Sequence, residues 1–362
     1  MPDYSLQACQ LQRTHYGDLP MSLSTPQIIW HDIQSWGVEG KGWTDTEQYF
    51  DRLPAAARRQ VRPAVWDLSR HTAGMSARFI TDASDIHVRY SLIDKRLAMP
   101  HMPATGVSGV DLYAEDTHGI DRWVAVSQPE EQTVETILAQ NIRPGERPYT
   151  LYFPLYNGVK SMEIGLPENA MLNPIGPRSE KQLVFYGTSI TQGACASRPG
   201  MAFTAILGRW LNKPVINLGF SGNGQMETAI TTCLTELEAC IYIIDCLPNM
   251  AADLVAERTV PLVHQLRTAK PDTPILLVED RSYTNTAFLP AHDEQNKRRR
   301  AALRHTYSRL KEGGANALYY LEGAHILGDD GEAATDGSHP NDLGMLRYAR
   351  AYHPILQEIL KP

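Results

Sequence analysis

The chain has 362 residues, of which 43% are hydrophobic and 21% are charged, a composition typical of a folded globular protein rather than a disordered one. Its formal net charge of −7, from 34 basic and 41 acidic residues, argues against nucleic acid or an anionic membrane as the main partner. At this length we expect two domains, each with a core of its own.

The cysteines and the N-terminus bear on the cellular location. Five cysteines are scattered without paired spacing, which predicts neither a disulfide framework nor a zinc site: Cys9, Cys195, Cys233, Cys240 and Cys246. The N-terminus lacks a basic segment followed by an apolar stretch, and no run of 18 apolar residues occurs. We therefore expect no signal peptide, no membrane span and a cytoplasmic protein, with Met21 as an alternative start.

Residues 1–174 are predicted to form a β-rich domain. Short segments rich in β-branched and aromatic residues alternate with turn residues such as those at 82–85. The predicted strands are residues 65–68, 76–80, 87–92, 122–126, 150–153 and 159–164. Because no long amphipathic helix interrupts them, we expect antiparallel pairing in a β-sandwich or jelly roll.

The Pro/Gly-rich stretch at residues 173–177 is the predicted boundary, which makes residues 175–362 the second domain. Apolar strands and amphipathic helices alternate in that domain. The strands are predicted at 183–186, 214–218, 240–245, 275–279 and 317–321, and the helices at 203–211, 226–237 and 340–359. Repeated βα units predict a parallel sheet between two helical layers, with functional loops at the carboxyl ends of the strands.

A basic run at residues 297–300 stands out from the acidic background. It lies in a helix-like stretch with acidic neighbours such as Asp293 and Glu294. We interpret the run as a solvated helix face rather than a binding patch.

Ser189 lies in the loop after the first strand of the second domain, in the segment Tyr-Gly-Thr-Ser-Ile-Thr-Gln-Gly at residues 186–193. A glycine leaves the strand and the serine follows two residues later. Such a turn exposes the hydroxyl above the sheet and can direct the serine N–H at an oxyanion. Taken alone, the loop is more typical of a helix cap.

The loops after the next two strands contain Gly222 and Asn249. The first, which we name the glycine loop, is residues 219–224 and has three glycines, so that backbone N–H groups could point at a ligand. A tight turn or a phosphate loop is the alternative, although the spacing does not fit the dinucleotide motif GxGxxG. The Asn249 amide could donate to an oxyanion or cap the following helix.

Asp336 and His339 lie three residues apart in the loop at residues 335–340, which we name the histidine loop. This spacing lets the carboxylate fold back and hold the imidazole Nδ1–H, which leaves Nε2 free to accept a serine proton. A polar loop before the C-terminal helix is the structural alternative.

Together, and in this order, the four loops resemble the blocks of the SGNH (GDSL-like) hydrolase superfamily. The resemblance implies a flavodoxin-like three-layer α/β/α hydrolase fold, with Ser189 as nucleophile, His339 as its base and Asp336 as the residue that orients the base. It also implies an oxyanion hole made of Ser189, Gly222 and Asn249, and no metal or organic cofactor. The departures from the family pattern are Thr188 and Ile190 beside the serine, and Leu-Pro-Asn-Met at residues 247–250 in place of Gly-x-Asn-Asp. They bear on subgroup and substrate rather than on the chemistry.

In the first half, residues 109–113 (Gly-Val-Asp-Leu-Tyr) resemble the GxDLY signature of a β-sandwich domain that precedes some SGNH hydrolases. That group includes carbohydrate esterases and an acyltransferase. The resemblance implies a serine esterase for short acyl esters, above all acetyl esters of a carbohydrate. Acyl transfer to an alcohol by the same chemistry and carbohydrate binding without catalysis are the alternatives.

The expected partner is therefore a small acyl ester or an acetylated saccharide. An oligomer is compatible with the sequence, which leaves the oligomeric state open. Asp111 and Tyr113 are candidate substrate contacts, with a strand end and turn as the structural alternative. Trp36 and Trp43 are candidate stacking surfaces or core residues. The remaining histidines, which form no ligand-like cluster in the sequence, are interpreted as surface or packed residues: His71, His101, His264 and His325.

Overall fold

The computed structural model describes residues 27–361, so that Cys9 and Met21 lie outside the described residues. Nine strands of its first half form two antiparallel sheets. They are β1 (Ile28–Asp32), β2 (Ser76–Thr81), β3 (Ile86–Leu92), β4 (Asp111–Glu115), β5 (Asp121–Val126), β6 (Thr133–Ala139), β7 (Arg147–Tyr152), β8 (Val159–Pro167) and β9 (Leu172–Ile175). One sheet has the order β1-β8-β3-β6, and the other β5-β4-β7-β2-β9.

Alternating burial along the strands builds the core of this β-sandwich. In β3, Val88 and Tyr90 are buried, whereas the residues between them are only partly buried, as the period of two requires. They share one hydrophobic cluster with Phe79 of β2 and Leu151 of β7, which belong to the opposite sheet. The predicted N-terminal β-sandwich is confirmed.

The second half contains a five-stranded parallel sheet. Its strands are β10 (Gln182–Gly187), β11 (Val215–Gly219), β12 (Ala239–Asp245), β13 (Ile275–Val278) and β14 (Leu318–Leu321). They lie in the order β11-β10-β12-β13-β14, with every neighbouring pair parallel. This is the 2-1-3-4-5 order of flavodoxin-like sheets, which confirms the predicted topology.

Helices cover both faces of the parallel sheet. The helices of the described residues are α1 (Pro63–Ser69), α2 (Ala104–Val107), α3 (Ser189–Gln192), α4 (Phe203–Leu211), α5 (Thr228–Thr235), α6 (Ala252–Ala269), α7 (Pro290–Glu312) and α8 (Asp342–Ile359). Val184 and Tyr186 of β10 pack with α5, α6 and α7, whereas Leu183 and Phe185 pack with α4 and α8. The predicted three-layer arrangement is therefore confirmed. None of the helices in residues 27–361 combines the length and the apolar character that crossing a membrane requires.

The strand predicted at residues 65–68 is wrong, because this segment lies in α1. Pro63 occupies the first turn of that helix, where a missing N–H costs nothing. Val65 and Trp66 are buried in the hydrophobic cluster beneath the parallel sheet, so the first half of the chain contributes a helix to the hydrolase layers. The domain boundary at 174/175 stays a prediction; β9, which spans it, pairs with β2 of the sandwich.

The solvated face predicted for the basic run is wrong for half of its residues. Lys297 and Arg298 are exposed on α7 and pair with Asp293 and Glu294, one turn earlier. Arg299 and Arg300 point inward instead. Both donate hydrogen bonds to Asp280, which lies just after β13. Successive residues of a helix point in directions about 100° apart, so a four-residue run cannot lie on one face.

Candidate active site

Ser189 is the first residue of α3 and lies two residues after the end of β10. Gly187 at the strand end is required by space, because a Cβ there would lie 2.1 Å from the Thr191 hydroxyl oxygen. Thr188 caps the short helix by accepting a hydrogen bond from the Ile190 N–H at 3.3 Å. The turn therefore directs the Ser189 side chain to the carboxyl edge of the sheet, where parallel sheets hold their sites.

The side chains of Ser189, His339 and Asp336 form a continuous hydrogen-bonded chain. Ser189 Oγ lies 2.9 Å from His339 Nε2, and His339 Nδ1 lies 2.7 Å from Asp336 Oδ2. The other carboxylate oxygen accepts hydrogen bonds from the backbone N–H groups of His339, at 2.8 Å, and Ser338, at 3.0 Å. This is the geometry in which an imidazole can take a proton from a serine hydroxyl.

The charge of Asp336 is set by two opposing effects. Partial burial alone would raise the pKa of this carboxyl, but hydrogen bonds from the His339 backbone and ring outweigh it and lower the pKa to about 2. Asp336 is therefore ionised at any ordinary working pH, and it holds a proton on His339 Nδ1. The imidazole consequently presents Nε2 to the serine as a base.

Three potential oxyanion donors come from the loops after three adjacent strands, β10, β11 and β12. The Ser189 N–H starts α3 and so has no acceptor within that helix. Gly222 has φ +70°, and its N–H donates to no group of residues 27–361. Asn249 Oδ1 accepts a hydrogen bond from the Gly224 N–H at 3.2 Å, which turns its Nδ2 group away from that contact and leaves it available.

Arg52 holds the glycine loop from the first half of the chain, a contact that sequence reasoning missed. The residue is 1% exposed, and its guanidinium donates from Nη1 to the carbonyls of Asn217, at 2.9 Å, and Gly219, at 2.8 Å. Its Nε and Nη2 donate to the carbonyls of His71, at 2.7 Å, and Leu68, at 2.6 Å. Burial lowers the pKa of Arg52 to about 9, and the four carbonyl dipoles, rather than a carboxylate, are the groups that offset the loss of hydration.

Two further side chains fix the same loop. Arg62 Nη1 donates to Asn223 Oδ1 at 2.7 Å, and its Nε forms a 2.6 Å ion pair with Glu227. Gln192 Oε1 accepts a hydrogen bond from the Ser221 N–H at 3.0 Å. The glycine loop is thus bonded on several sides, which is what a preorganised oxyanion hole requires.

Arg281 holds the histidine loop in a similar way. Its side chain is buried, donates from Nε to the Ser338 carbonyl at 3.1 Å, and also contacts the Ser338 hydroxyl and the Asp280 carboxylate. Burial acts to lower the pKa of Arg281, but Asp280 more than offsets it and the pKa is raised. The three charged residues that directly follow the buried strand β13, at 279–281, are the available sequence signal for this role.

Asp111 and Tyr113 do not fit the substrate contacts predicted for them. Asp111 is fully buried, and its oxygens accept hydrogen bonds from Trp123 Nε1, Arg198 Nη1 and the Gly200 N–H, each at 2.8 Å. The Tyr113 hydroxyl accepts a second bond from Arg198 Nη1 at 2.6 Å. The carboxylate has no surface to offer a ligand, because the GxDLY segment binds the loop that leads into α4.

The two tryptophans considered as stacking surfaces are also engaged elsewhere. Trp36 Nε1 donates to the Arg78 carbonyl at 3.1 Å in the sandwich. Trp43 Nε1 donates to Glu236 Oε2 at 2.7 Å, and its ring belongs to the core beneath the parallel sheet. Trp43 is a core residue, and Trp36 is partly buried against the core of the sandwich.

His101 departs from the interpretation of the remaining histidines as isolated. Its ring centroid lies 5.5 Å from that of His339. The ligand atoms of His101, Cys195 and His339 all lie within 4.8 Å of one another. These three residues are far apart in the sequence, so spacing could not reveal the cluster.

Comparisons with known proteins match most of the described chain. A sequence model of the GDSL-like lipase/acylhydrolase family matches residues 180–357, and a model of the N-terminus of SGNH-hydrolase-type esterases, named GxDLY, matches residues 28–172. A crystal structure described as a GDSL-like lipase from Bacteroides ovatus is 34% identical, with a TM-score of 0.88, over 92% of this chain and 98% of the other. A search of curated protein sequences gives no match.

Two more distant solved structures share the fold. A salicylyl-acyltransferase from a tetracycline biosynthetic pathway is 18% identical, with a TM-score of 0.68, over 94% of this chain and 97% of the other. A family two carbohydrate esterase from Cellvibrio japonicus is 13% identical, with a TM-score of 0.61, over 92% and 98% of the two chains.

Proposed function

Because the chain belongs to the GDSL-like lipase/acylhydrolase family, we propose that it is a serine esterase that hydrolyses short acyl esters through an acyl-enzyme on Ser189. The observation that carries the proposal is the chain of contacts from Ser189 Oγ to His339 Nε2, at 2.9 Å, and from His339 Nδ1 to Asp336, at 2.7 Å. Both distances are within hydrogen-bond reach without any movement of the histidine loop.

The reaction begins with attack of Ser189 Oγ on the ester carbonyl while His339 Nε2 accepts the hydroxyl proton. The oxyanion binds to the N–H groups of Ser189 and Gly222 and to the Asn249 amide. His339 then gives its proton to the departing alcohol, and the acyl group stays on the serine. Water then attacks the acyl-enzyme while His339 accepts its proton. The bond between the acyl carbon and Ser189 Oγ breaks, His339 returns the proton to the serine, and the free acid leaves; Asp336 stabilises the imidazolium in both steps.

Acetyl esters of a carbohydrate are the proposed substrate class. The support comes from the carbohydrate esterase among the structures that share the fold, together with the GxDLY half that precedes the hydrolase layers. A panel of acetylated oligosaccharides and p-nitrophenyl esters of increasing acyl length tests this class. Faster turnover of long acyl chains than of acetate would refute it.

Acyl transfer to an alcohol is the second candidate, since one structure that shares the fold is an acyltransferase. Hydrolysis is favoured because the His339 side chain is 25% exposed, so that water can reach the base beside the acyl-enzyme. Product analysis with and without an added alcohol distinguishes the two: a new ester formed at the expense of free acid would favour the transferase.

A third alternative is a carbohydrate-binding protein without catalysis. Hydrolysis of p-nitrophenyl acetate by the wild-type chain, with its loss in the Ser189→Ala variant, would exclude it. Saccharide binding without turnover of any ester in the panel would support it instead.

A further inference from the structure

One cluster of metal-ligating side chains remains outside the proposed reaction, although it shares His339 with it. His101, Cys195 and His339 bring one ligand atom each to within 4.8 Å of the others. His339 Nδ1 is taken by Asp336 at 2.7 Å, so the nitrogen available to an ion is Nε2. The cluster therefore offers two imidazole nitrogens and one sulfur, on one side of the proposed catalytic base.

His101 reaches this position on a short turn from the first half of the chain. The N–H groups of Met99 and Met102 donate to each other's carbonyls, at 2.9 and 3.0 Å, which leaves His101 at the tip. The Met102 side chain is 2% exposed and packs in the same hydrophobic cluster as α4 and α8. This anchor fixes the turn against the hydrolase layers, so the position of His101 does not depend on a mobile loop.

Cys195 lies in a turn that is fixed equally well. The Ala194 N–H donates to the Ser189 carbonyl at 2.8 Å. Cys195 has φ +67°, a left-handed backbone conformation that residues other than glycine rarely adopt. Such a conformation persists where the surroundings enforce it. From the other side, the Thr105 hydroxyl donates to the Ser197 carbonyl at 2.6 Å, which ties the turn of His101 to the turn of Cys195.

We propose that His101, Cys195 and His339 form a binding site for a thiophilic divalent cation, Zn²⁺ above all, and that the bound ion reversibly blocks the esterase reaction. The inhibition rests on the function proposed above, whereas the binding does not. Thiolate and imidazole are the ligands that zinc prefers, and hard cations such as Mg²⁺ prefer oxygen.

The geometry suits a zinc ion with three protein ligands. With bonds of about 2.0–2.3 Å, the ligand atoms of a tetrahedral site lie about 3.3–3.6 Å apart, so side-chain movements of about 1 Å close the cluster. As the metal–sulfur bond forms, the Cys195 thiol proton leaves to solvent. Asp336 already accepts a hydrogen bond from His339 Nδ1, the ring nitrogen that would not bind the ion, as carboxylates do for zinc-binding histidines. The fourth position stays open to water.

Inhibition follows from competition for one lone pair. A metal bound to His339 Nε2 prevents that nitrogen from accepting the Ser189 proton, so the nucleophile is not activated. Removal of the ion with a chelator restores the base. The site thus couples the activity of the hydrolase to the free concentration of a soft divalent cation.

Metal binding is tested first, without any reference to activity. Chelator-treated Ser189→Ala protein is titrated with Zn²⁺ by calorimetry, with Mg²⁺ as the comparison ion. We expect one tight zinc site, weakened about tenfold or more by adding either His101→Ala or Cys195→Ser, and no measurable Mg²⁺ binding. His325→Ala is the matched control, since His325 also lies beside an acidic partner, at 3.1 Å from Asp329, but outside the cluster.

Inhibition is tested next, on chains that keep Ser189. Zn²⁺ should suppress hydrolysis of p-nitrophenyl acetate by the wild-type protein, and a chelator should reverse the effect. His101→Ala and Cys195→Ser should each stay active in the presence of the same Zn²⁺ concentration, so a folding defect in one variant leaves the other to decide. Unchanged zinc affinity in both variants would overturn the site. Tight binding without inhibition would overturn the competition, and a wild-type chain inactive even after chelation would count against the esterase alone.

Discussion

Replacing Arg52 with lysine should lower kcat far more than it changes KM. Arg52 donates to the carbonyls of Asn217 and Gly219 on the hydrolase side and to those of Leu68 and His71 on the other side. A lysine keeps the positive charge but has one nitrogen, which cannot reach both pairs of carbonyls. At least two hydrogen bonds are therefore lost, and the carbonyls at the start of the glycine loop lose their fixed position.

The size of the effect follows from those bonds. Each buried carbonyl left without a partner costs about 1–3 kcal/mol, so the free energy of unfolding should fall by about 2–6 kcal/mol. A misplacement of about 1 Å in a catalytic group can cost about 10²-fold in rate, and loss of one oxyanion donor typically costs 10²–10³-fold in kcat. We expect kcat on p-nitrophenyl acetate to fall about 10–100-fold, with KM changed less than about threefold, because the glycine loop binds the transition state more than the ester.

The assay compares steady-state kinetics, well below the melting temperature, with the melting temperature itself. Arg178→Lys is the matched control, because Arg178 also joins the two halves, donating to Glu39 at 2.7 Å, but does not contact the glycine loop. It should lower stability and leave kcat unchanged. If Arg52→Lys lowers the melting temperature and leaves kcat intact, Arg52 only stabilises the fold. If Arg52 acts through the oxyanion hole, the loss of kcat in Arg52→Lys should be far from additive with the loss in Asn249→Ala.

Four further predictions concern single side chains. His339→Ala should reduce kcat nearly as much as Ser189→Ala, because the base and the nucleophile act as one unit; steady-state kinetics of the two variants check this. Asp336→Asn should reduce kcat less than His339→Ala if the backbone N–H contacts still hold the loop, and equal losses would contradict that view. Burial raises the pKa of Asp245 to about 7, so its folded form keeps a proton that the unfolded form loses above about pH 4. The contribution of Asp245 to stability should therefore fall by on the order of a few kcal/mol as pH rises from 4 to 7, so that denaturant titrations should show Asp245→Asn gaining stability relative to the wild type over this range. Asp111→Asn should lower the free energy of unfolding by about 3–5 kcal/mol by breaking a buried ion pair, while hydrolysis of p-nitrophenyl acetate by the folded protein stays nearly unchanged.

The parts of the fold that the sequence predicted are those with a local signal. The strands of the parallel sheet are continuous apolar runs, because both faces are buried, and β10 and β12 were recognised in this way. The strand prediction at residues 65–68 fails because a short segment with three apolar or aromatic residues among four fits a strand as well as a helix. Pro63 is the local signal for the helix start, and the burial of Val65 and Trp66 against residues far along the chain could not be read from the segment itself.

The residues of the candidate site also differ in whether a local sequence signal locates them. Ser189, Asn249 and His339 each follow a predicted strand or precede a predicted helix, so their loops could be located from the sequence. Arg52 could not, since its partners are backbone carbonyls up to 167 positions away and any residue can supply a carbonyl. His101 was missed for a related reason: nothing near it in the sequence indicates that its turn packs beside the proposed catalytic base.

The most direct test of the central claim is covalent labelling of the nucleophile. The wild-type chain is treated with a fluorophosphonate, and peptide mass spectrometry locates the adduct while p-nitrophenyl acetate hydrolysis is followed in parallel. The account predicts one adduct, on Ser189, with activity lost in proportion to labelling, and neither labelling nor turnover in Ser189→Ala. Substantial turnover by Ser189→Ala, or an adduct on another residue that tracks the loss of activity, would contradict it.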